Sequence, residues 1–233
     1  MKKYVALVLA LMLCLSLCAC GGDNDTPTNK TAMTREDMLS SANSFDYSTF
    51  SENAAENTIR AEETYVGNIY EISGFVDKIN DDSCILKVLS SSGILEGFIN
   101  VPLSRDELLM LNTNERITVV GEISEIISEK SIKLGSAYYI SNEFEATVKI
   151  YSIVYASASD KLPKYATGSF SGFVDEYVAP LCNVYISGED LATLNEDDEI
   201  TITGKMVIYD STNVHMHYGT KILFEIKDAE LVQ

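Results

Sequence analysis

The chain has 233 residues, 46% of them hydrophobic, and carries 35 acidic against 17 basic residues, a formal net charge of −18 at pH 7. This length is enough for one or two small domains. Non-specific affinity for nucleic acid depends on cationic contacts, and anionic lipid repels an acidic surface, so the composition predicts no nucleic-acid partner and no basic membrane-binding patch. The charge permits cationic peptides, metal ions or amine-bearing wall polymers, and its commoner role is to keep a surface protein soluble.

The amino terminus has the pattern of an export signal. Lys2 and Lys3 form a short positive region, and an uncharged apolar run extends from Tyr4 to about Leu17. That run is shorter than the about 20 apolar residues that a permanent membrane-spanning helix needs. A positive start, a short apolar run and small residues near its end are typical of a cleavable secretory signal.

The end of this run, Leu17-Cys18-Ala19-Cys20 before a pair of glycines, resembles the bacterial lipobox. Cys18 departs from that motif, because Ala, Ser or Thr is commoner there. The resemblance implies that residues 1–19 are removed and that Cys20 receives a diacylglycerol, which would hold the chain on the extracytoplasmic face of the cell membrane. The alternatives are an ordinary signal peptide cut nearby and an uncleaved anchor.

Five cysteines are present, but Cys14 and Cys18 would leave with the signal and Cys20 would be consumed by lipid. Cys84 and Cys182 remain, each inside an apolar, strand-like run. An exported pair can form a disulfide, whereas a free cysteine behaves as a small buried hydrophobic residue. We favour two buried thiols.

A polar tether and a helical segment come next. Residues 20–33 lack apolar periodicity, so we expect them to be flexible. Thr34 and Asp37 fit a capping box that opens a short helix. A second helix is predicted from about Ser51, ending before Gly67.

From residue 65 the hydrophobic period changes toward two, which predicts strands over Ile69–Val76, Ile85–Leu89 and Leu95–Val101. A short helix is predicted over 104–111, and further strands over 116–125 and 131–140. The predicted order is therefore three strands, one helix and two more strands. This is the order of the OB-fold, a five-stranded barrel with a helix after its third strand.

An internal repeat predicts a second barrel. The pentapeptide Ser-Gly-Phe-Val-Asp occurs at 73–77 and 171–175, and a Leu-Asn pair with a following Ile-Thr-x-x-Gly occurs at 111–121 and 194–204. Residues 188–194 repeat the short helix. The spacing between the two motifs is shorter in the second copy, so either the strand-like run Phe144–Tyr155 fills the gap or the second barrel is open on that side.

A helix containing Asn53, Ala54, Asn57 and Ala61, followed by Tyr-Val-Gly and the strand I-Y-E-I-S-G-F-V-D-K-I, resembles the family called tRNA-anticodon-binding-like. The segments I-T-V-V-G and I-T-I-T-G fit its fourth strand. The match covers about residues 50–141, with a weaker copy to the end. The resemblance implies an OB-type fold and brings no functional residues. It does not imply RNA binding here, because the predicted location, the negative charge and the absence of Trp count against it.

His215 and His217 could share one face of a strand and meet a metal ion, with Asp210 close by, but a Zn site needs three or four ligands. An exposed polar face is the plainer interpretation. The acidic run Glu196–Glu199 could bind a cation, although such runs are usually solvated turns.

Tyrosines could form a stacking surface of the kind that OB barrels use for bases or sugars, although core packing is the commoner role of aromatic residues in strands. The candidates are Tyr138, Tyr139, Tyr151, Tyr155, Tyr185, Tyr209 and Tyr218.

No nucleophile, zinc-protease or phosphate-loop motif is present, so the sequence predicts neither an enzyme nor a cofactor. We therefore expect a mainly β protein with tandem OB-fold-like small barrels and an N-terminal helical segment. The predicted boundaries are a signal peptide at 1–19, a tether at 20–33, the helical segment with the first barrel at 34–142, and a second, shorter barrel at 143–233.

The favoured function is a membrane-anchored, non-catalytic module that binds an unknown protein or envelope ligand. An envelope-associated metal-dependent or hydrolytic enzyme and a structural spacer are the alternatives.

Overall fold

The structure is a computed structural model that describes residues 33–89, 95–155, 162–170, 181–208, 216–217 and 220–232. The predicted signal peptide, Cys20 and nearly all of the tether lie outside these residues. The helices are α1 (Arg35–Ser41), α2 (Tyr47–Glu56), α3 (Thr58–Tyr65), α4 (Arg105–Leu108) and α5 (Gly188–Leu191). The strands are β1 (Asn43–Ser44), β2 (Ile69–Ile79), β3 (Ser83–Leu89), β4 (Leu95–Pro102), β5 (Arg116–Ser128), β6 (Ser131–Ser141), β7 (Glu143–Val154), β8 (Tyr165–Phe170), β9 (Leu181–Ile186), β10 (Glu199–Ile208), β11 (Met216–His217) and β12 (Thr220–Leu231).

The helical segment follows local capping chemistry. The predicted capping box of Thr34 and Asp37 opens α1. Helix α2 begins earlier than predicted, at Tyr47, because the Asp46 carboxylate accepts hydrogen bonds from the first free amides of this helix. Helix α3 ends before Gly67, as predicted, where a φ of 81° favours glycine.

The first barrel consists of β2 to β6, with α4 between its third and fourth strands. The strand order is β2-β3-β4-β6-β5, and pairing of β5 with β2 closes the barrel. Strands β4 and β6 run parallel, whereas the other neighbours are antiparallel. The predicted OB-type order is therefore confirmed for this barrel.

Helices α2 and α3 complete the core of the first barrel. Phe50 of α2 is fully buried and packs with Tyr47 and Tyr65 against the apolar interior of the strands. Burial of one large apolar side chain stabilises a fold by about 1.5–3 kcal/mol, so the helical segment is part of the hydrophobic core of this barrel.

The second barrel repeats this plan with β7, β8, β9, β10 and β12, and with α5 after its third strand. The order is β7-β8-β9-β12-β10, and β10 closes the barrel by pairing with β7. The predicted strand-like run Phe144–Tyr155 corresponds to β7, which is the first strand of this barrel. It therefore fills the gap that the shorter spacing of the second repeat left. The alternative of an open barrel is wrong.

The structure describes both copies of one motif of the sequence repeat and one copy of the other. The Leu-Asn and Ile-Thr-x-x-Gly match is structural: Asn114 and Asp197 both have a positive φ, of 66° and 72°, in the turn before the fourth strand. Residues 73–77 of the pentapeptide match lie in the first strand of the first barrel. Residues 171–175 lie outside the described part of the chain.

The two barrels pack directly on each other within one compact unit, Thr34–Gln233. The ring of Phe75 stacks on that of Phe224 with centroids 5.7 Å apart. Ile208 N donates to Asn114 O at 2.9 Å. Within the described ranges, no helix combines the length and apolar composition needed to cross a membrane.

Candidate binding face

The structure does not test the predicted metal ligands as a group. Asp210 and His215 lie outside the described residues, and His217 is part of β11. The described part of the chain contains no group of three or more His, Cys, Asp or Glu side chains that could hold a metal ion. The proposed His pair therefore stays a prediction.

The acidic run Glu196–Glu199 forms a turn before β10 and the first residue of that strand. The Asp198 carboxylate accepts the amide of Asn195 at 2.7 Å, and Asp197 lies 3.3 Å from the ammonium group of Lys149. These contacts give the turn a structural role, which agrees with the interpretation of this run as a solvated turn and not a cation site.

Cys84 and Cys182 are buried free thiols, as predicted. Burial raises the pKa of Cys84 and of Cys182 to about 12, from an ordinary value of 9.0. A reactive cysteine needs an accessible thiolate, so neither side chain is suited to nucleophilic chemistry.

The candidate tyrosines fall on different parts of the protein. Tyr138 and Tyr139 belong to β6 of the first barrel, whereas Tyr151 and Tyr185 lie on β7 and β9 of the second. Tyr155 follows β7. Tyr209 and Tyr218 lie outside the described residues.

Tyr151 and Tyr185 share the outer surface of the second barrel with Tyr165, and we call these three residues the tyrosine face. In β8 and β9, Ala166 and Val184 are fully buried in the barrel core. Because side chains alternate along a strand, their neighbours Tyr165 and Tyr185 point outward. The register of β8 and β9 sets these tyrosines opposite each other, with ring centroids 5.4 Å apart and planes inclined by 41°.

Polar side chains form the floor of the tyrosine face. Ser169, Thr167 and Asn183 are only 4%, 2% and 8% exposed, although none of them lies in the apolar barrel core. Thr167 Oγ1 donates to Asn183 Oδ1 at 3.2 Å, and the hydroxyl groups of Tyr151 and Ser169 lie 2.7 Å apart. The floor therefore orients one of the rings through a hydrogen bond.

One side of the tyrosine face is closed by charged groups of β12. Tyr185 Oη donates to Glu225 Oε1 at 3.1 Å, and the other carboxylate oxygen lies 3.3 Å from Lys227 Nζ. These contacts fix the Tyr185 ring in one orientation. A fixed ring loses less conformational entropy when a ligand stacks on it.

Sequence reasoning missed Tyr165, because residues 165–170 were not assigned to a strand. The signal was present as a period of two, with Tyr165, Thr167 and Ser169 at alternate positions of Y-A-T-G-S-F. The second and third strands of an OB barrel form its ligand-binding face. Tyr165 and Tyr185 occupy those two strands.

The corresponding face of the first barrel has a different composition. Phe98 of β4 is 37% exposed there, and Lys87 of β3 lies opposite it. The Lys87 ammonium group donates to Asn114 Oδ1 at 2.9 Å and lies 3.6 Å from the Asp77 carboxylate. This lysine is already engaged by protein groups, and Phe98 is one exposed ring without a neighbouring tyrosine pair.

Solved structures of other proteins are similar to parts of this chain. No family model and no curated protein matches the chain, so no family membership confirms the resemblance to the tRNA-anticodon-binding-like family. A Klebsiella pneumoniae protein proposed to be a nucleic acid-binding lipoprotein matches 47% of this chain over 100% of its own, at 12% identity and a TM-score of 0.38. The wild-type single-stranded DNA binding protein of Thermus aquaticus matches 71% of this chain over 92% of its own, at 11% identity and a TM-score of 0.26. A deletion mutant of that protein matches 71% of this chain over 93% of its own, at 12% identity and a TM-score of 0.25.

These neighbours contradict the prediction that nucleic acid is excluded as a partner, since their descriptions name nucleic acid or single-stranded DNA as what they bind. The physical error lies in the use of total charge. A net charge of −18 describes the whole chain, whereas an OB barrel contacts its ligand through one face, and the total does not determine the local charge there.

Proposed function

We propose that this chain is a lipid-anchored, non-catalytic binding module on the extracytoplasmic face of the cell membrane. Its second barrel holds a ligand built of ring-shaped units, a sugar or nucleotide oligomer, by stacking the rings on the tyrosine face. The observation that carries this proposal is the outward-facing pair Tyr165 and Tyr185, which lies on the two strands that OB barrels use for such ligands.

The chemistry of the tyrosine face supports ring binding. Stacking of one ring on an aromatic side chain contributes about 1–3 kcal/mol, and two adjacent tyrosines offer two such contacts. The centroid separation of 5.4 Å keeps both rings within the span of neighbouring units of one ligand chain. The phenol groups and Glu225 add acceptors for ligand hydroxyl or amine protons.

The anchoring part of the proposal rests on the sequence. The lipobox-like motif ends at Cys20, and polar residues separate this cysteine from Thr34, where the compact unit begins. A diacylglycerol on that thiol would hold the binding face near the membrane surface without a spanning helix, because two acyl chains anchor a protein stably.

The experiment uses the full chain purified in detergent, with titration calorimetry against two probes, an oligomer of N-acetylglucosamine and a short oligothymidylate. We expect one probe to bind, and Tyr165→Ala and Tyr185→Ala each to weaken it about tenfold, or about 1.4 kcal/mol. Tyr185→Phe keeps the ring and should bind nearly as well. Oligothymidylate affinity should fall steeply with salt, whereas sugar affinity should not.

Phe98→Ala is the matched control, because it removes an exposed aromatic ring from the corresponding face of the first barrel. The proposal is wrong if neither probe binds. It is also wrong if Phe98→Ala abolishes binding while both tyrosine variants retain it, since the first barrel would then carry the site.

A further inference from the structure

A second concave site lies away from the tyrosine face, between the helical segment and the first barrel. It is a cleft of about 490 Å³ lined by residues 44–48 and 71–73, the end of β3, Glu96 and Arg116. We call it the β2 cleft. Small-molecule sites are clefts of about 300–1,000 Å³, so this volume suits a small polar ligand.

An interruption in the pairing of β2 creates the cleft. Strand β1 pairs with the start of β2 as far as Ser44 opposite Glu71, and β3 pairs with its later part from Lys87 opposite Phe75. Ile72 and Ser73 lie between these two partners on that edge of β2, and both line the cleft. The edge there faces the cleft instead of a neighbouring strand of the described chain.

Arg116 supplies the cationic group among the residues that line the β2 cleft. Its guanidinium lies over the ring of Phe144, 5.4 Å from the centroid. Burial lowers the pKa of this guanidinium, and the negative charge of Glu71 acts in the opposite direction. None of the ion pairs formed by the described residues includes Arg116. A partly buried guanidinium without a paired carboxylate favours an anionic group of a ligand.

Carboxylates line the same cleft. Asp46 caps α2, and hydrogen bonds from Thr49 lower its pKa, so it stays ionised. Burial raises the pKa of Glu96, and the negative charge of Asp46 adds to this effect. Glu71 is exposed at the edge of the cleft. These groups repel a simple anion and would be stabilised by a ligand cation.

We propose that the β2 cleft binds a zwitterion of the amino-acid or short-peptide class, whose carboxylate pairs with Arg116 and whose ammonium group pairs with Glu71 and Glu96. A ligand with one charge can pair either with Arg116 or with the carboxylates, but not with both. An anion is repelled by the carboxylates, and an amine leaves the guanidinium without a partner. The β2 cleft is separate from the tyrosine face, so this proposal does not depend on the function proposed above.

The test is titration calorimetry of the full chain in detergent with the dipeptide L-alanyl-L-alanine. Two analogues remove one charge each: the N-acetylated dipeptide lacks the ammonium group, and the dipeptide amide lacks the carboxylate. We expect the dipeptide to bind more tightly than either analogue. Arg116→Gln should weaken dipeptide binding about 10–100-fold, the cost of a charge-assisted hydrogen bond, and should not weaken binding of the amide, which has no carboxylate to pair with Arg116. Glu71→Gln should weaken binding of the dipeptide and should not weaken binding of the N-acetylated analogue, because the Glu71 carboxylate repels that anion.

Arg60→Gln and Glu62→Gln are matched controls, because they remove the same charges from the exposed surface of α3. Arg116→Lys keeps a positive charge near Phe144 and should retain part of the affinity, which separates loss of the site from loss of the fold. Equal binding of all three ligands, or no heat with the dipeptide at about 10 mM, overturns the proposal.

Discussion

Gly97 of β4 offers a sharp test of how the helical segment joins the first barrel. A Cβ atom at position 97 would overlap Tyr47 Oη and the carbonyl oxygen of Lys130. Tyr47 is the first residue of α2 and is only 5% exposed, and its hydroxyl is buried. Gly97→Ala should therefore push Tyr47 and the start of α2 away from β4.

Two routes give the size of this effect. If the tyrosine stays, the added methyl group overpacks the contact, which costs about 1–3 kcal/mol. If the ring moves into solvent instead, the chain loses its burial, worth about 1.5–3 kcal/mol, and the Lys130 carbonyl must still shift slightly. The protein takes the less costly route, so we expect a loss of about 2 kcal/mol in the free energy of unfolding.

The assay is urea unfolding of the full chain, followed by circular dichroism. Tyr47→Phe alone should cost at most about 1 kcal/mol, because it keeps the buried ring and removes one hydroxyl group. In the double variant with Gly97→Ala and Tyr47→Phe, part of the stability lost through Gly97→Ala should be recovered. Ring atom Cζ would still lie 2.5 Å from the new Cβ, so recovery should be incomplete.

Gly135→Ala on β6 is the matched control. Its Cβ would meet Ser124 Cβ at 3.0 Å on an exposed part of the barrel, where a small shift relieves the contact, so we expect a change within about 0.5 kcal/mol. The reasoning fails if Gly97→Ala unfolds at the wild-type urea concentration. It also fails if Tyr47→Phe gives no recovery, because the overlap with the hydroxyl would then not be the cause.

The buried thiols predict how stability changes at alkaline pH. An unfolded thiol ionises above about pH 9, whereas Cys84 and Cys182 stay neutral in the folded chain up to about pH 12. The free energy of unfolding should therefore be unaffected by these thiols below about pH 9 and should decrease between pH 9 and 12. Urea midpoints of the Cys84→Ala, Cys182→Ala double variant should fall less over that range, and a parallel decline would contradict the assignment. Glu115 is buried and accepts the side-chain amides of Asn112 and Asn142 at 2.8 and 2.6 Å, so Glu115→Ala should lower the free energy of unfolding by about 2 kcal/mol, measured by urea unfolding; no change would show that these bonds contribute nothing. Mass spectrometry of the native protein should find a diacylglycerol on Cys20, and Cys20→Ala should release the chain from membranes; an unmodified cysteine would refute the anchor.

The local sequence determined the features that depend on a few neighbouring residues. Thr34 with Asp37 forms the capping box expected of it, and Ser104 with Glu107 forms another at the start of the predicted short helix, because each box is closed within three residues. The order of strands and helix in the first half predicted an OB-type barrel. The apolar runs around Cys84 and Cys182 predicted buried thiols.

Tertiary structure decided how distant segments pair and which side chains meet. It made β7 the first strand of the second barrel, since strand pairing depends on register and closure across the whole sheet. It set Tyr165 opposite Tyr185 and brought Arg116 to the edge of a cleft with Glu71 and Glu96. Composition averages charge over the chain, whereas a binding face is a local arrangement of side chains from several strands. For that reason the net charge misjudged the possible partners.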